Sequence, residues 1–255
     1  MGGRRTIKCM PDGRAMLNVG CGPRTHLAFN NLDFSPYALL GSHRGLVKVL
    51  YGLGLLSANR YESLRAIDPD IIYWNVRRGL PFADRGFDLV YHSHFITHLD
   101  REDALEVTHE CWRVLKPGGI VRVVVPDLRQ LVLDYDWAFG RLESGESAFE
   151  EHQRAVDELF ELMVRRVPVG TSRQHPLVRV LEMGLRGDIH ARGESRRWQY
   201  DRFSMAALLR QAGFRKTELT TPDRSLVEGW NAFGLDLNPD GSVYKPGSLF
   251  MEGIK

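Results

Sequence analysis

The chain has 255 residues, with 34 Lys and Arg against 32 Asp and Glu, for a formal net charge of +2. That length lets one core bury about three quarters of the unfolded chain's surface, which favours one elaborated domain over two equal ones, and so even a charge balance gives no footing for a nucleic-acid partner. Cys9, Cys21 and Cys111 are an odd set at wide spacing, which excludes a disulfide framework and a Cys-based zinc site and fits a reducing, cytoplasmic setting.

In chain order, Arg4-Arg5 are not followed by an apolar core, so no signal peptide is read. The run Met16–Gly20 reads as a buried strand that breaks into Gly20-Cys21-Gly22, a tight turn where backbone can approach a ligand closely. A second short strand, Asn30–Asp33, ends in a carboxylate that can accept both hydroxyls of a ribose. Only nine residues, Cys21 to Phe29, separate the two strands. A parallel crossover with its helix needs at least about 10–12, so this first crossover is shortened to a turn. The apolar window Gly45 to Leu56 contains Lys48 and is about half the length of a membrane span.

Further strands are expected at Ile71–Trp74 and Phe87–Tyr91. From Asp100 to Leu115, the residues Ala104, Val107, Cys111 and Leu115 recur at helical spacing, and Lys116-Pro117-Gly118-Gly119 should stop that helix. The β-branched run Ile120–Val125 is too apolar on both sides for a half-exposed strand, so it should be central in the sheet. Strand rhythm then disappears between Asp127 and Trp198, where Leu128–Leu142, Ala148–Val164 and Leu177–Leu185 look helical. This stretch is far too long for an ordinary connection, so residues 128–198 are expected to form a helical cap over the carboxyl ends of the strands. A core of residues 1–127 and 199–255 would resume with the helix Ser204–Ala212 and the strands Lys216–Leu219 and Ser248–Met251. The alternation of strands and helices is that of an α/β protein with a mostly parallel sheet.

Four blocks, LNVGCGP, NLDFSP, IIYWNVRRGLPFADRGFDLVYHSHFITHL and RVLKPGGIVRVVVPDL, follow one another in an order that resembles the class I S-adenosylmethionine-dependent methyltransferases. RRWQYDRFSMAALLRQAGF and YKPGSLFMEGIK are also similar to a bacterial subgroup often associated with cell-surface polysaccharide synthesis. The resemblance covers about residues 15–127 and 198–255. It implies a Rossmann-like, seven-stranded sheet with an antiparallel last strand, and S-adenosylmethionine as cofactor. It also implies that Gly20, Cys21 and Gly22 pack under the methionyl part and the ribose, and that Asp33 holds the ribose hydroxyls. Asn75, with Val76, would lie beside the adenine where the family usually has Asp. His92, Ser93 and His94 would face the sulfonium and the incoming substrate. The Gly45–Leu56 window then reads as a lid over the cofactor, the surface of a homodimer, or core.

Methyl transfer from a sulfonium is an in-line displacement, so positioning supplies much of the catalysis. A hydroxyl acceptor must also lose its proton, and a His or carboxylate near the methyl group suits that task. His94 is the first choice, followed by His92 and Asp127, although Asp127 equally reads as the N-cap of the helix starting at Leu128. His92, His94 and His98 have a spacing that can bind a metal, but the resembled family commonly carries the last two without one, and no metal is assigned. His190, Arg196, Trp198 and Tyr200, with His175 and Arg192, suit a sugar or an anionic small molecule, or else pack the cap. The expected activity is O-methylation of a small-molecule or glycan-precursor hydroxyl. A methyltransferase-fold protein that only binds is the alternative, kept by Asn75 and the short crossover. A nicotinamide enzyme is disfavoured because Thr25 stands where the third fingerprint glycine belongs.

Overall fold

The computed structural model describes residues 5–146, 148–163 and 197–255. Seven strands form one sheet: β1 Met16–Val19, β2 Phe29–Asp33, β3 Ile72–Tyr73, β4 Phe87–Ser93, β5 Leu115–Pro126, β6 Lys216–Thr220 and β7 Ser248–Ile254. Their order is β3-β2-β1-β4-β5-β7-β6. Strands β1 to β5 pair in parallel, while β7 runs antiparallel to both β5 and β6. Seven helices are described: α1 Pro36–Gly41, α2 Arg44–Gly52, α3 Ala58–Arg65, α4 Arg101–Val114, α5 Leu128–Glu143, α6 Phe149–Met163 and α7 Arg202–Gln211.

Side chains alternate across a strand, and β5 shows the consequence directly. Val121, Val123 and Val125 join Leu17, Val19 and Val90 in a core covered by Val107 and Cys111 of α4 and Met205 and Leu209 of α7. Val124 lies in a second core with Met16, Phe29, Leu89, Tyr91 and Phe250. Among the described residues no α-helix contributes to that second core. Trp230, Phe233 and Leu235, from the long connection between β6 and β7, fill it instead. This explains how the fold tolerates its short first crossover, which contains no helix between Val19 and Phe29. A third cluster holds α1 to α3 together through Ala38, Val47, Leu64, Ile67 and Ile71, with Cys21 reaching in from the glycine turn.

Several boundaries shift by one to three residues, and the start of β5 departs furthest from the sequence reading. Helix α4 does end at Val114, but the chain enters β5 at once, with Leu115 opposite Phe87. The Lys-Pro-Gly-Gly stretch is a bulge within the strand, because the register next pairs Leu89 with Ile120. Gly118 sits there at φ 77°, a left-handed conformation that glycine adopts without penalty. Helices α5 and α6 occupy the first two segments expected to be helical after β5. The third, Leu177–Leu185, lies outside the described residues.

Candidate active site

The chain runs from β1 outward through β2 to β3, then returns to the other side of β1 as β4 and β5. Such a reversal opens a crevice at the carboxyl ends of β1 and β4, where open α/β sheets take their ligands. The residues singled out at positions 20–22, 33 and 92–94 all follow or close these strands.

Gly20 (φ 63°) and Gly22 (φ 52°) are both left-handed. A side chain at Gly20 would run into the ring of Phe95, so the turn and the segment after β4 are in direct contact. At Gly22 a Cβ would meet open space, so no side chain packs against the backbone there. The turn is fixed from below. Gly20 N–H donates to the Leu32 carbonyl at 2.8 Å, and Gly22 N–H donates to Asp33 Oδ2 at 2.8 Å. Asp33 Oδ1 accepts from Ser35 N–H at 2.6 Å, so the buried carboxylate is held at both oxygens by amides. Each oxygen still has a second lone pair for an outside donor. Beside it, Phe34 and Tyr73 stack with centroids 5.0 Å apart, and both stay half exposed. The Cys21 thiol is buried and pushed well above its ordinary range by that burial and by the Asp33 charge, so it stays protonated. Asn75 Oδ1 accepts from Arg77 N–H at 3.1 Å and caps the short turn Val76–Arg78, while Val76 packs in the main core. The amide oxygen expected to meet the adenine amine therefore already holds one bond.

The segment after β4 separates the two candidate histidines. His92 is buried edge-on to Phe95, with ring centroids 5.9 Å apart, and burial pulls its pKa down to about 4. It is neutral near pH 7 and walled off from solvent, so the fold withdraws it from the acceptor side. His94 lies past the strand end in a left-handed conformation (φ 53°), which is uncommon outside glycine and often marks a functional position. Its Nε2 lies 2.8 Å from Ser248 Oγ at the start of β7. Lys245 Nζ approaches Ser93 at the carbonyl (3.3 Å) and Oγ (3.2 Å). Ser93, His94, Lys245 and Ser248 therefore form one polar group at the carboxyl end of the sheet. Lys245 and Ser248 were not foreseen; the only signal was the Lys-Pro-Gly-Ser run just before the last strand.

The other candidates are dispersed. Asp127 caps α5, with Oδ1 accepting from Arg129 N–H at 3.0 Å. Trp198 is 41% exposed and lies under the Arg101 guanidinium at 4.8 Å. Tyr200 is a core residue whose hydroxyl is pushed to about 12 by burial, so it does not present itself to an acceptor. His190 and Arg196 lie outside the described residues. Among the described residues no group of three His, Cys, Asp or Glu side chains could hold a metal ion, and no helix is long and apolar enough to cross a membrane.

The methyltransferase domain family matches residues 55–123, from α3 through β3, β4 and α4 into β5. "Probable methyltransferase ltbC" of Aspergillus luteorubrus is 34% identical over 111 residues, which is 42% of this chain and 38% of that protein. The chain thus spans well under half the length of that relative. Among solved structures, a SAM-dependent methyltransferase of Thermotoga maritima, described as a possible histamine N-methyltransferase, aligns over 96% of this chain and 84% of its own at 15% identity and TM-score 0.42. PigF with S-adenosylhomocysteine aligns over 94% of this chain and 50% of its own, at 12% identity and TM-score 0.41. The family match falls on the β4–α4–β5 blocks that lie within one seven-stranded sheet, so this part of the chain is similar to the methyltransferase domain family.

Proposed function

We propose that the protein transfers the methyl group to a hydroxyl of a small molecule or glycan precursor, with His94 as the base. The observation that carries this reading is the placement of His94: a left-handed residue just beyond β4, with its ring fixed by Ser248 next to the Phe95–Gly20 contact. The crevice suits an adenosyl group, because no side chain packs against the backbone at Gly22 and the Asp33 carboxylate is held in place with lone pairs to spare. Bound there, S-adenosylmethionine supplies an electrophilic methyl carbon on a sulfonium centre.

The chain's own part is to bind, orient and take a proton. Asp33 accepts from the ribose hydroxyls, the Phe34–Tyr73 pair and Asn75–Val76 border the adenine, and Gly20–Gly22 run under the ribose and methionyl part. His94, whose Nε2 lies 2.8 Å from Ser248 Oγ, receives the acceptor's proton on its imidazole ring. Trp198, half exposed under the Arg101 guanidinium, contributes to recognition of the acceptor. The setting is cytoplasmic.

The test uses methyl-tritiated S-adenosylmethionine and a small-molecule extract, with products identified by a mass gain of one methylene. An O-methyl ether resists mild base, whereas a methyl ester is hydrolysed. His94→Ala should lower turnover by about 10²–10⁴-fold while S-adenosylhomocysteine affinity stays within about twofold. Label on nitrogen or carboxylate oxygen would overturn the acceptor class, and full turnover in the variant would remove His94 from its role.

A further inference from the structure

We infer that Arg24 is a positioning residue for the cofactor turn, clamping it to the β6–β7 connection that stands in for the absent first helix. The inference rests on the cofactor crevice described above and names the device that keeps it in shape.

A turn with two left-handed glycines and no following helix lacks the repeating hydrogen bonds that would hold it. Two asparagines secure its base: Asn18 Nδ2 donates to the Arg24 carbonyl at 3.1 Å, and Asn31 Nδ2 donates to the His26 carbonyl at 3.0 Å. The Arg24 side chain secures its outer side. Nε donates to the Gly234 carbonyl at 3.0 Å, and Nη2 donates to the Leu237 carbonyl at 2.7 Å and to Asn238 Oδ1 at 3.5 Å. The guanidinium carbon lies 4.2 Å from the centroid of the Tyr244 ring. These four partners are neutral, so the contact is set by the shape of the planar fork rather than by ion pairing.

The partners are themselves held. Leu237 and Val243 form an antiparallel bridge, Tyr244 N–H donates to the Asp236 carbonyl at 2.8 Å, and Asp236 is bound by buried Arg122 at 2.8 Å. A rigid path thus runs from the sheet through Arg122 and Asp236 to residues 234–244, and from there through Arg24 to Gly22, whose N–H fixes Asp33. His26 adds an edge contact to Phe233 at 5.3 Å.

The test compares wild type, Arg24→Ala, Arg24→Lys and Tyr244→Phe by calorimetry with S-adenosylhomocysteine and by hydrogen exchange of the 20–28 amides without ligand. Arg24→Ala should weaken binding at least tenfold and speed exchange in the turn at least tenfold, measured well below its thermal midpoint. Arg24→Lys should fail to restore binding, because one ammonium cannot reproduce the fork and the ring contact. Tyr244→Phe, which keeps the ring, should behave as wild type. Wild-type affinity in Arg24→Ala, or full rescue by Lys, would overturn the inference. A wild type that does not bind S-adenosylhomocysteine would instead overturn the methyltransferase reading, and unchanged exchange in Arg24→Ala would overturn the clamp on its own.

Discussion

Arg122 stands on β5 with no exposed surface, and its guanidinium is shared between Asp236 Oδ2 at 2.8 Å and Glu252 Oε1 at 2.6 Å. It also donates to the carbonyls of Arg224 at 3.0 Å and Thr221 at 2.9 Å. The two carboxylates have further, neutral donors. Tyr91 Oη and Trp230 Nε1 reach Asp236 at 2.7 and 3.0 Å, and Ser225 Oγ and Leu226 N–H reach Glu252 at 2.5 and 2.7 Å. Arg122→Met keeps similar bulk but leaves two buried carboxylates with neutral partners alone. Removing one member of a buried ionic group costs about 3–5 kcal/mol, a large part of the roughly 5–15 kcal/mol that holds a domain together. With a urea slope of about 3 kcal/mol/M, the midpoint should fall by about 1–1.7 M. Trp230 is buried with its ring 4.7 Å from the guanidinium, so its emission should shift to the red before global unfolding if the β6–β7 connection loosens. A loss below about 1 kcal/mol with unchanged emission would refute the claim that this network fastens the connection to the sheet.

Three further outcomes follow from the site. His92 has a pKa of about 4 in the fold against an ordinary 6.5, so the unfolded chain binds the extra proton first. Stability is therefore full above about pH 6.5 and falls as pH drops toward 4; between pH 7 and 5 the loss is about 2 kcal/mol, and His92→Gln should lack that component in denaturation measured at both pH values. Gly20→Ala should cost about 1–3 kcal/mol and weaken S-adenosylhomocysteine binding, because the new methyl collides with Phe95 at a left-handed residue; thermal melts and calorimetry check both. Cys9 is exposed while Cys21 and Cys111 are buried with raised pKa values, so iodoacetamide should add one group to the folded protein by mass spectrometry.

The sequence was most legible where a strand is buried on both faces. Phe87–Tyr91 and Ile120–Val125 lie within β4 and β5, because a continuous apolar run carries its own burial. The start of β5 was hidden because Pro117 and two glycines read as a stop, whereas Leu115 is drawn to Phe87 by a pairing that no local pattern records. The nine-residue gap after β1 announced a missing helix. Its replacement was illegible, since Trp230, Phe233 and Leu235 follow no period and Arg122 finds its acids 114 and 130 residues away. The tight glycine turn after β1 was legible from spacing, whereas its hydrogen bond to Asp33 was not. Strand alternation alone would put His92 and His94 on one face, but β4 ends between them: His92, still within β4, sides with Phe95, while left-handed His94 lies beyond the strand with its ring near Ser248. Tyr200 looked like a ligand residue from its basic neighbours, but an aromatic ring of that size next to α5 and α7 is also core material, and burial won.

The most direct test of the account is calorimetry of S-adenosylhomocysteine against the wild type and Asp33→Ala, each shown folded by circular dichroism. The wild type should bind one equivalent saturably. Asp33→Ala removes a carboxylate that would accept charge-assisted hydrogen bonds of about 1.5–3 kcal/mol each and that also holds Gly22, so its affinity should fall at least tenfold. No binding by the wild type, or equal affinity in the two proteins, would contradict the assignment of this crevice to the cofactor.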